Sequence, residues 1–168
     1  MKNVAVVGLG FVGLTLSVVA SKKGYRVFGI DTNQEILDQL SNDKAHFYEK
    51  DIDASIQSIS GNSFFFSRDF KDYHDKKFDY IIITVGTPIS DEKKLNLEYI
   101  LSALDSIKSI YDGTQLVILR STVSVGTTRK LVLPYLSKMA KIDKDQVLLG
   151  FCPERTIEGN AINELSEL

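Results

Sequence analysis

The segment Gly8-Leu9-Gly10-Phe11-Val12-Gly13 spaces three glycines as GxGxxG, and Asp31 follows 18 residues after the last of them. The glycine pattern alone is weak, because glycines are common. Its setting gives it meaning: it begins directly after the apolar run Val4-Ala5-Val6-Val7 and opens a helical pattern. There, Gly8 permits a tight turn, Gly10 lets the backbone approach a pyrophosphate, and Gly13 lets the helix pack closely on a sheet. The helix start adds N–H groups without intrahelical partners and a partial positive charge, both suited to phosphate. A carboxylate at Asp31, closing the next strand, can accept from both ribose hydroxyls and repels a 2′-phosphate. The pattern therefore points to NAD rather than NADP. The alternative is a glycine turn and a helix-capping aspartate with no ligand.

Three further stretches carry polar chemistry. They are Thr84-Val85-Gly86-Thr87-Pro88, the hydroxyl-rich run 120–128 from Arg120 to Thr128, and the run 151–159 from Phe151 to Gly159. Each follows a strand-like segment, and ligands of open α/β sheets collect at the C-terminal ends of strands. The hydroxyl run also suits helix capping. Glu154 and Glu158 are four apart, so a helix would put them on one face, where paired carboxylates could do acid/base work. Outside a helix that spacing says little, and they read as ordinary solvated charges. Cys152 is the sole thiol and lies in a turn; His46 and His74 lie in polar, surface-like stretches. One cysteine and two histidines make a poor metal kit, so no metal is expected.

These residues need a scaffold, and the periodicity supplies one. Short Val/Ile/Leu/Phe runs at 4–7, 25–30, 63–66, 78–85, 115–119 and 147–150 read as strands buried on both faces. Helical spacing appears over 11–23, closed by Gly24, then over 33–40, 51–60, a stretch after Asn96 bearing Ile100, Leu101, Leu104 and Ile107, and 125–139. Pro134 inside the last of these should kink or end it. Residues 41–50 and 86–95 read as loops. The alternation predicts an α/β fold: a doubly wound, six-stranded, mostly parallel sheet of strand order 3-2-1-4-5-6. Residues 1–150 read as one nucleotide-binding domain and residues 151–168 as an appended segment.

With 168 residues, 43% hydrophobic and 25% charged, the chain has enough apolar material for one core. Twenty basic against 22 acidic residues give a net charge of −2, which argues against a nucleic-acid or acidic-membrane binder. No apolar run reaches the roughly 18–20 residues of a membrane span, and the N-terminus does not read as a signal peptide. A soluble domain of a reducing, cytoplasmic compartment is expected.

Five motifs together resemble one family. GLGFVG at 8–13, Asp31, TVGTP at 84–88, RSTVSVGTT at 120–128 and CPERTIEGNAINEL at 152–165 resemble the N-terminal NAD-binding domain of the UDP-glucose / UDP-N-acetylmannosamine / GDP-mannose dehydrogenases. Other dehydrogenases of the 3-hydroxyacyl-CoA or 6-phosphogluconate type share only the first two. The resemblance implies oxidation of a sugar C6 alcohol to a carboxylate with two NAD, through a cysteine thiohemiacetal and a thioester that water hydrolyses. It implies NAD contacts at Gly8, Gly10, Phe11, Val12, Gly13, Asp31, Val85, Gly86, Thr87, Ser121, Thr122 and Glu158. Sugar contacts fall at Glu154, Arg155, Thr156 and Glu158. Thr122 resembles the threonine that positions a catalytic water, and Glu154 the glutamate proposed as acid/base in thioester hydrolysis.

Two departures from the family are visible. Ile36 stands where the family often carries a basic residue, and Arg155 resembles the N-acetylhexosamine branch more than the UDP-glucose branch. UDP-N-acetylmannosamine is thus the expected substrate, with UDP-glucose or a stand-alone NAD-binding module as alternatives. The nucleophilic cysteine of the family belongs to a part not present here, so the chain reads as an NAD-binding half, inactive alone. Relatives dimerise mainly through that absent part, so this piece is expected to be monomeric.

Overall fold

Four of the five residues of the first strand, β1 (Asn3–Val7), are buried, because it lies at the centre of the sheet with a neighbour on each side. The computed structural model describes residues 1–88 and 96–167; of the loop expected over 86–95, residues 89–95 lie outside them. Five more strands follow: β2 (Arg26–Ile30), β3 (Phe64–Ser67), β4 (Tyr80–Ile83), β5 (Leu116–Leu119) and β6 (Leu149–Phe151). Their order is β3-β2-β1-β4-β5-β6 and every pair is parallel, as the alternating pattern predicts.

Strand pleating divides the core in two. Val4 and Val6 face one apolar cluster with Leu14, Val18, Leu40, Ile56 and Phe64. Ala5 and Val7 face the other, with Ile81, Ile83, Leu104, Leu119 and Leu136. Helices α1 (Phe11–Lys22), α2 (Gln34–Ser41) and α3 (Ile52–Ile59) cover the first face, and α4 (Glu98–Ser106) and α5 (Leu133–Ala140) the second. Helix α1 has Gly13, Thr15, Ser17 and Ser21 among its buried residues. Such residues are poor helix formers, yet their small size lets α1 lie tightly against the sheet, α3 and a C-terminal helix, α6 (Ala161–Glu167). The buried hydroxyls of Ser17 and Thr15 donate to the Gly13 and Phe11 carbonyls at 2.6 and 2.8 Å.

Several local expectations are corrected. Pro134 neither ends nor breaks its helix. The distortion takes the form of one wide π turn (Thr128–Val132) immediately before α5, which loosens the hydrogen-bond ladder where the proline lacks an N–H. That helical stretch also starts at Thr128, three residues later than 125. Neither α6 nor the 3₁₀ turn Phe70–Tyr73 was visible in the periodicity, both being at most seven residues long. Asn96 does accept a hydrogen bond from the Glu98 amide at 2.8 Å, fixing the start of α4.

Candidate functional site

The turn from β1 into α1 is held by glycine geometry. Gly8 has φ +95°, and its amide donates to the Ile30 carbonyl at 2.8 Å. A Cβ on Gly13 would overlap the Gly8 carbonyl oxygen and sit 2.7 Å from Thr84 Oγ1. Gly13 is therefore a packing glycine. Gly10 differs: a Cβ there would meet nothing within 4 Å among the described residues, so the space above it is open. Gly10 is also the N-cap of α1, with no side-chain cap and no acidic residue in the first turn. The first amides of the helix thus have no acceptor within it, and the helix dipole adds partial positive charge.

Asp31 stands beside this turn. Its Oδ2 accepts from the Leu9 amide at 2.7 Å and its Oδ1 from the Asn33 amide at 2.9 Å. One carboxylate therefore ties the glycine turn to the start of α2 and is fixed in orientation. Gly8, Gly10, Asp31, Val85 and Gly86 together line a cavity of about 380 Å³. Phe11 and Val12 are half-buried in the first turn of α1, and the Phe11 ring meets Phe47 edge-on at 5.0 Å.

The same cavity is lined by residues that the sequence reading passed over: Arg68 and Asp69 after β3, and Tyr99 and Ser102 on α4. No motif marks them; β3 and α4 bring them there, so only the strand order could have found them. His46 is another case. It is half-buried against Phe47 rather than solvated, with Nδ1 lacking a hydrogen-bond partner among the described residues. Burial lowers its pKa, opposed by the nearby charge of Asp31.

At the ends of β4 and β5 the motifs meet. Thr87 Oγ1 donates to the Thr122 carbonyl at 2.7 Å, and Ser121 Oγ donates to the Val85 carbonyl at 2.6 Å. Ser121 is buried, so its hydroxyl serves the loop, while Thr122 is exposed.

Beyond β6 the chain forms no helix or strand over 152–157 and a turn over 158–160, so Glu154 and Glu158 do not share a helix face. They differ sharply in surroundings. Glu154 and Arg120 form an ion pair with both side chains only 11% exposed. Arg120 Nε and Nη2 donate to Glu154 Oε2 at 3.0 and 2.5 Å, while the Arg155 and Thr156 amides donate to Oε1 at 2.7 and 2.8 Å. Burial pushes the Glu154 pKa up, but the two amides and the guanidinium outweigh it, and the net shift is downward. Glu154 is held as a carboxylate. Thr156 Oγ1 next to it is buried with no partner among the described residues. Arg155 and Glu158 are exposed. Cys152 Sγ lies 3.4 Å from Arg120 Nη1.

Glu49, unremarked in the sequence, fastens this segment. It is buried, with Oε2 accepting from the Gly159 amide at 2.7 Å and Oε1 from the Ile162 amide at 3.2 Å. Among the described residues, no group of three or more His, Cys, Asp or Glu could hold a metal, and no helix is long and apolar enough to cross a membrane.

Comparison with known proteins agrees with this fold. Residues 2–168 match the model of the UDP-glucose/GDP-mannose dehydrogenase family, NAD binding domain. A UDP-N-acetyl-D-mannosamine dehydrogenase of Campylobacter jejuni is 29% identical over 98% of this chain and 42% of its own length. Its counterpart in Methanocaldococcus jannaschii is 30% identical over 99% of this chain and 37% of its own length. The solved UDP-N-acetyl-mannosamine dehydrogenase of Staphylococcus aureus superposes with a TM-score of 0.87 at 28% identity, covering 98% of this chain and 39% of that one. The chain therefore spans about two fifths of the length of these relatives.

Proposed function

Since the chain belongs to the UDP-glucose/GDP-mannose dehydrogenase family as its NAD-binding domain, we propose that the cavity beside Gly10 and Asp31 seats the cofactor for oxidation of a nucleotide sugar at C6. The observation carrying this reading is the open space over Gly10 at an uncapped helix start, next to a carboxylate fixed in place. The diphosphate lies across Gly8 and Gly10 against the amides of Phe11 and Val12, and Asp31 takes the adenosine ribose hydroxyls. Gly13 and Ser121 shape the backbone around the cofactor. Val85, Gly86, Thr87 and Thr122 border its nicotinamide end. When bound, NAD supplies a hydride acceptor.

The substrate proposed for the whole protein is UDP-N-acetylmannosamine, which fits the names of similar proteins. Glu154, Arg155, Thr156 and Glu158 would face the sugar. The hydroxyl of Thr156, without a partner among the described residues, is a donor available to an acceptor on the sugar. Glu154, kept ionised by the Thr156 and Arg155 amides together with Arg120, can take a proton from a water that Thr122 positions; to give one, it must first exchange those partners. A soluble, cytoplasmic, homodimeric protein completes the proposal.

Gly10→Val tests it. The added Cβ meets no described atom within 4 Å, so the melting temperature should stay within a few degrees of the parent's. Calorimetric NAD binding should fall at least a hundredfold. A variant that binds NAD as the parent does would overturn the site.

A further inference from the structure

We propose that Arg68 is the cationic wall of the adenosine end of this cavity and, with Asp31, sets how the site reads the 2′ position of the dinucleotide. The inference rests on the cofactor reading above and deepens it. Ser67, the last residue of β3, is in register with Ile30, and the Asp31 amide donates to the Ser67 carbonyl at 3.2 Å. Arg68 therefore follows its strand at the level where Asp31 follows the neighbouring one. Parallel strands run about 4.8 Å apart, which leaves the two side chains within reach of one ribose. Both line the 380 Å³ cavity.

The remaining lining narrows the roles. Among the described residues lining that cavity, Arg68 is the one with a basic side chain; Ile36, on the first turn of α2, brings apolar surface and no charge. Asp69 is turned to its own 3₁₀ turn, accepting from the Lys71 amide at 2.8 Å with Lys71 Nζ at 3.5 Å. A guanidinium is planar, stacks on a purine face and donates in a fork that fits phosphate. Arg68 thus holds the adenine in NAD, while the same group would attract the 2′-phosphate that Asp31 repels. Preference for NAD then resides in one carboxylate set beside a latent phosphate site.

Titration calorimetry of the 168-residue chain with NAD and with NADP tests this. Arg68 is exposed, so Arg68→Gln should leave the melting temperature unchanged and weaken NAD about fivefold. Asp31→Asn should raise NADP affinity about tenfold or more, and Asp31→Asn combined with Arg68→Gln should lose that gain. Arg68→Lys in the Asp31→Asn background should keep part of it, since the charge remains without the planar fork. If the double variant gains NADP binding as fully as Asp31→Asn alone, or if Arg68→Gln binds NAD as the parent does, the inference fails while the cofactor site stands. If the parent takes up no NAD, the cofactor reading fails first and this one with it.

Discussion

The glycine turn and the segment after β6 are fixed by opposite means. At the turn, backbone shape does the work: Gly8 takes a positive φ, and Gly13 lies so close to the Gly8 carbonyl that no side chain fits. After β6, side chains do it: Arg120 grips Glu154, and Glu49 grips Gly159 and Ile162. Steric restraint is indifferent to pH and salt, whereas charge pairing is sensitive to both. A pyrophosphate cradle gains from a shape that never changes. A carboxylate in the acid/base role proposed for Glu154 would gain from a grip that can be exchanged.

The steric side of this contrast predicts the largest effect. Gly13→Val drives a branched side chain into the Gly8 carbonyl and Thr84 Oγ1, both parts of the β1–β4 framework. Neither can give way without moving a central strand, so the cost should be about 3 kcal/mol or more. Urea unfolding should show that loss equally at pH 7 and pH 4. A pH-dependent loss would mean that Gly13 acts through a titrating neighbour and would blur the distinction.

Electrostatics predicts a smaller, pH-dependent effect at Arg120. Arg120→Met leaves Glu154 buried with two amide donors and no cation. Breaking a buried pair costs about 3–5 kcal/mol, and the surviving amides should reduce this to about 2–3 kcal/mol at pH 7. Glu154 has a folded pKa below its unfolded value of about 4.3. The unfolded chain therefore binds more protons in that window. The stability from the pair is complete above that value and is lost as pH falls through the lower, folded one. The gap between parent and variant in urea midpoints should narrow below about pH 4, unlike that of Gly13→Val. A gap constant down to pH 3 would show that Arg120 contributes by packing alone.

Legibility in the sequence follows the same division. Steric features are written in residue type: only glycine suits positions 8 and 13, and an apolar run such as Ile81-Ile82-Ile83 suits a strand covered on both faces. Strand order, the sheet and the glycine turn were therefore readable. Partnerships across long separations were not. Arg120 meets Glu154, and Glu49 meets Gly159, only because β5 pairs with β6 and α6 packs on α1. Arg68 reaches the cavity only because β3 lies beside β2. The i,i+4 spacing of Glu154 and Glu158 left two readings open, because whether the segment is helical depends on Pro153 and on the two amides that Glu154 accepts, which together keep it non-helical.

Glu49 offers the finest test of whether the segment after β6 is held separately. Its carboxylate accepts two amides at once, and Glu49→Gln keeps one oxygen acceptor while placing an NH₂ group where the second stood. Losing one charge-assisted bond should cost about 1–1.5 kcal/mol. Ile162 and Leu165 remain in the core and keep α6 seated, so the loss should be local. Hydrogen exchange at the Gly159 and Ile162 amides should quicken roughly tenfold, since about 1.4 kcal/mol is a factor of ten. The Gly8 amide, bonded to Ile30 inside the steric region, should exchange at the parental rate. Equal acceleration at all three would mean that the two regions open as one unit, and the contrast between them would then describe how they are built but not how they move.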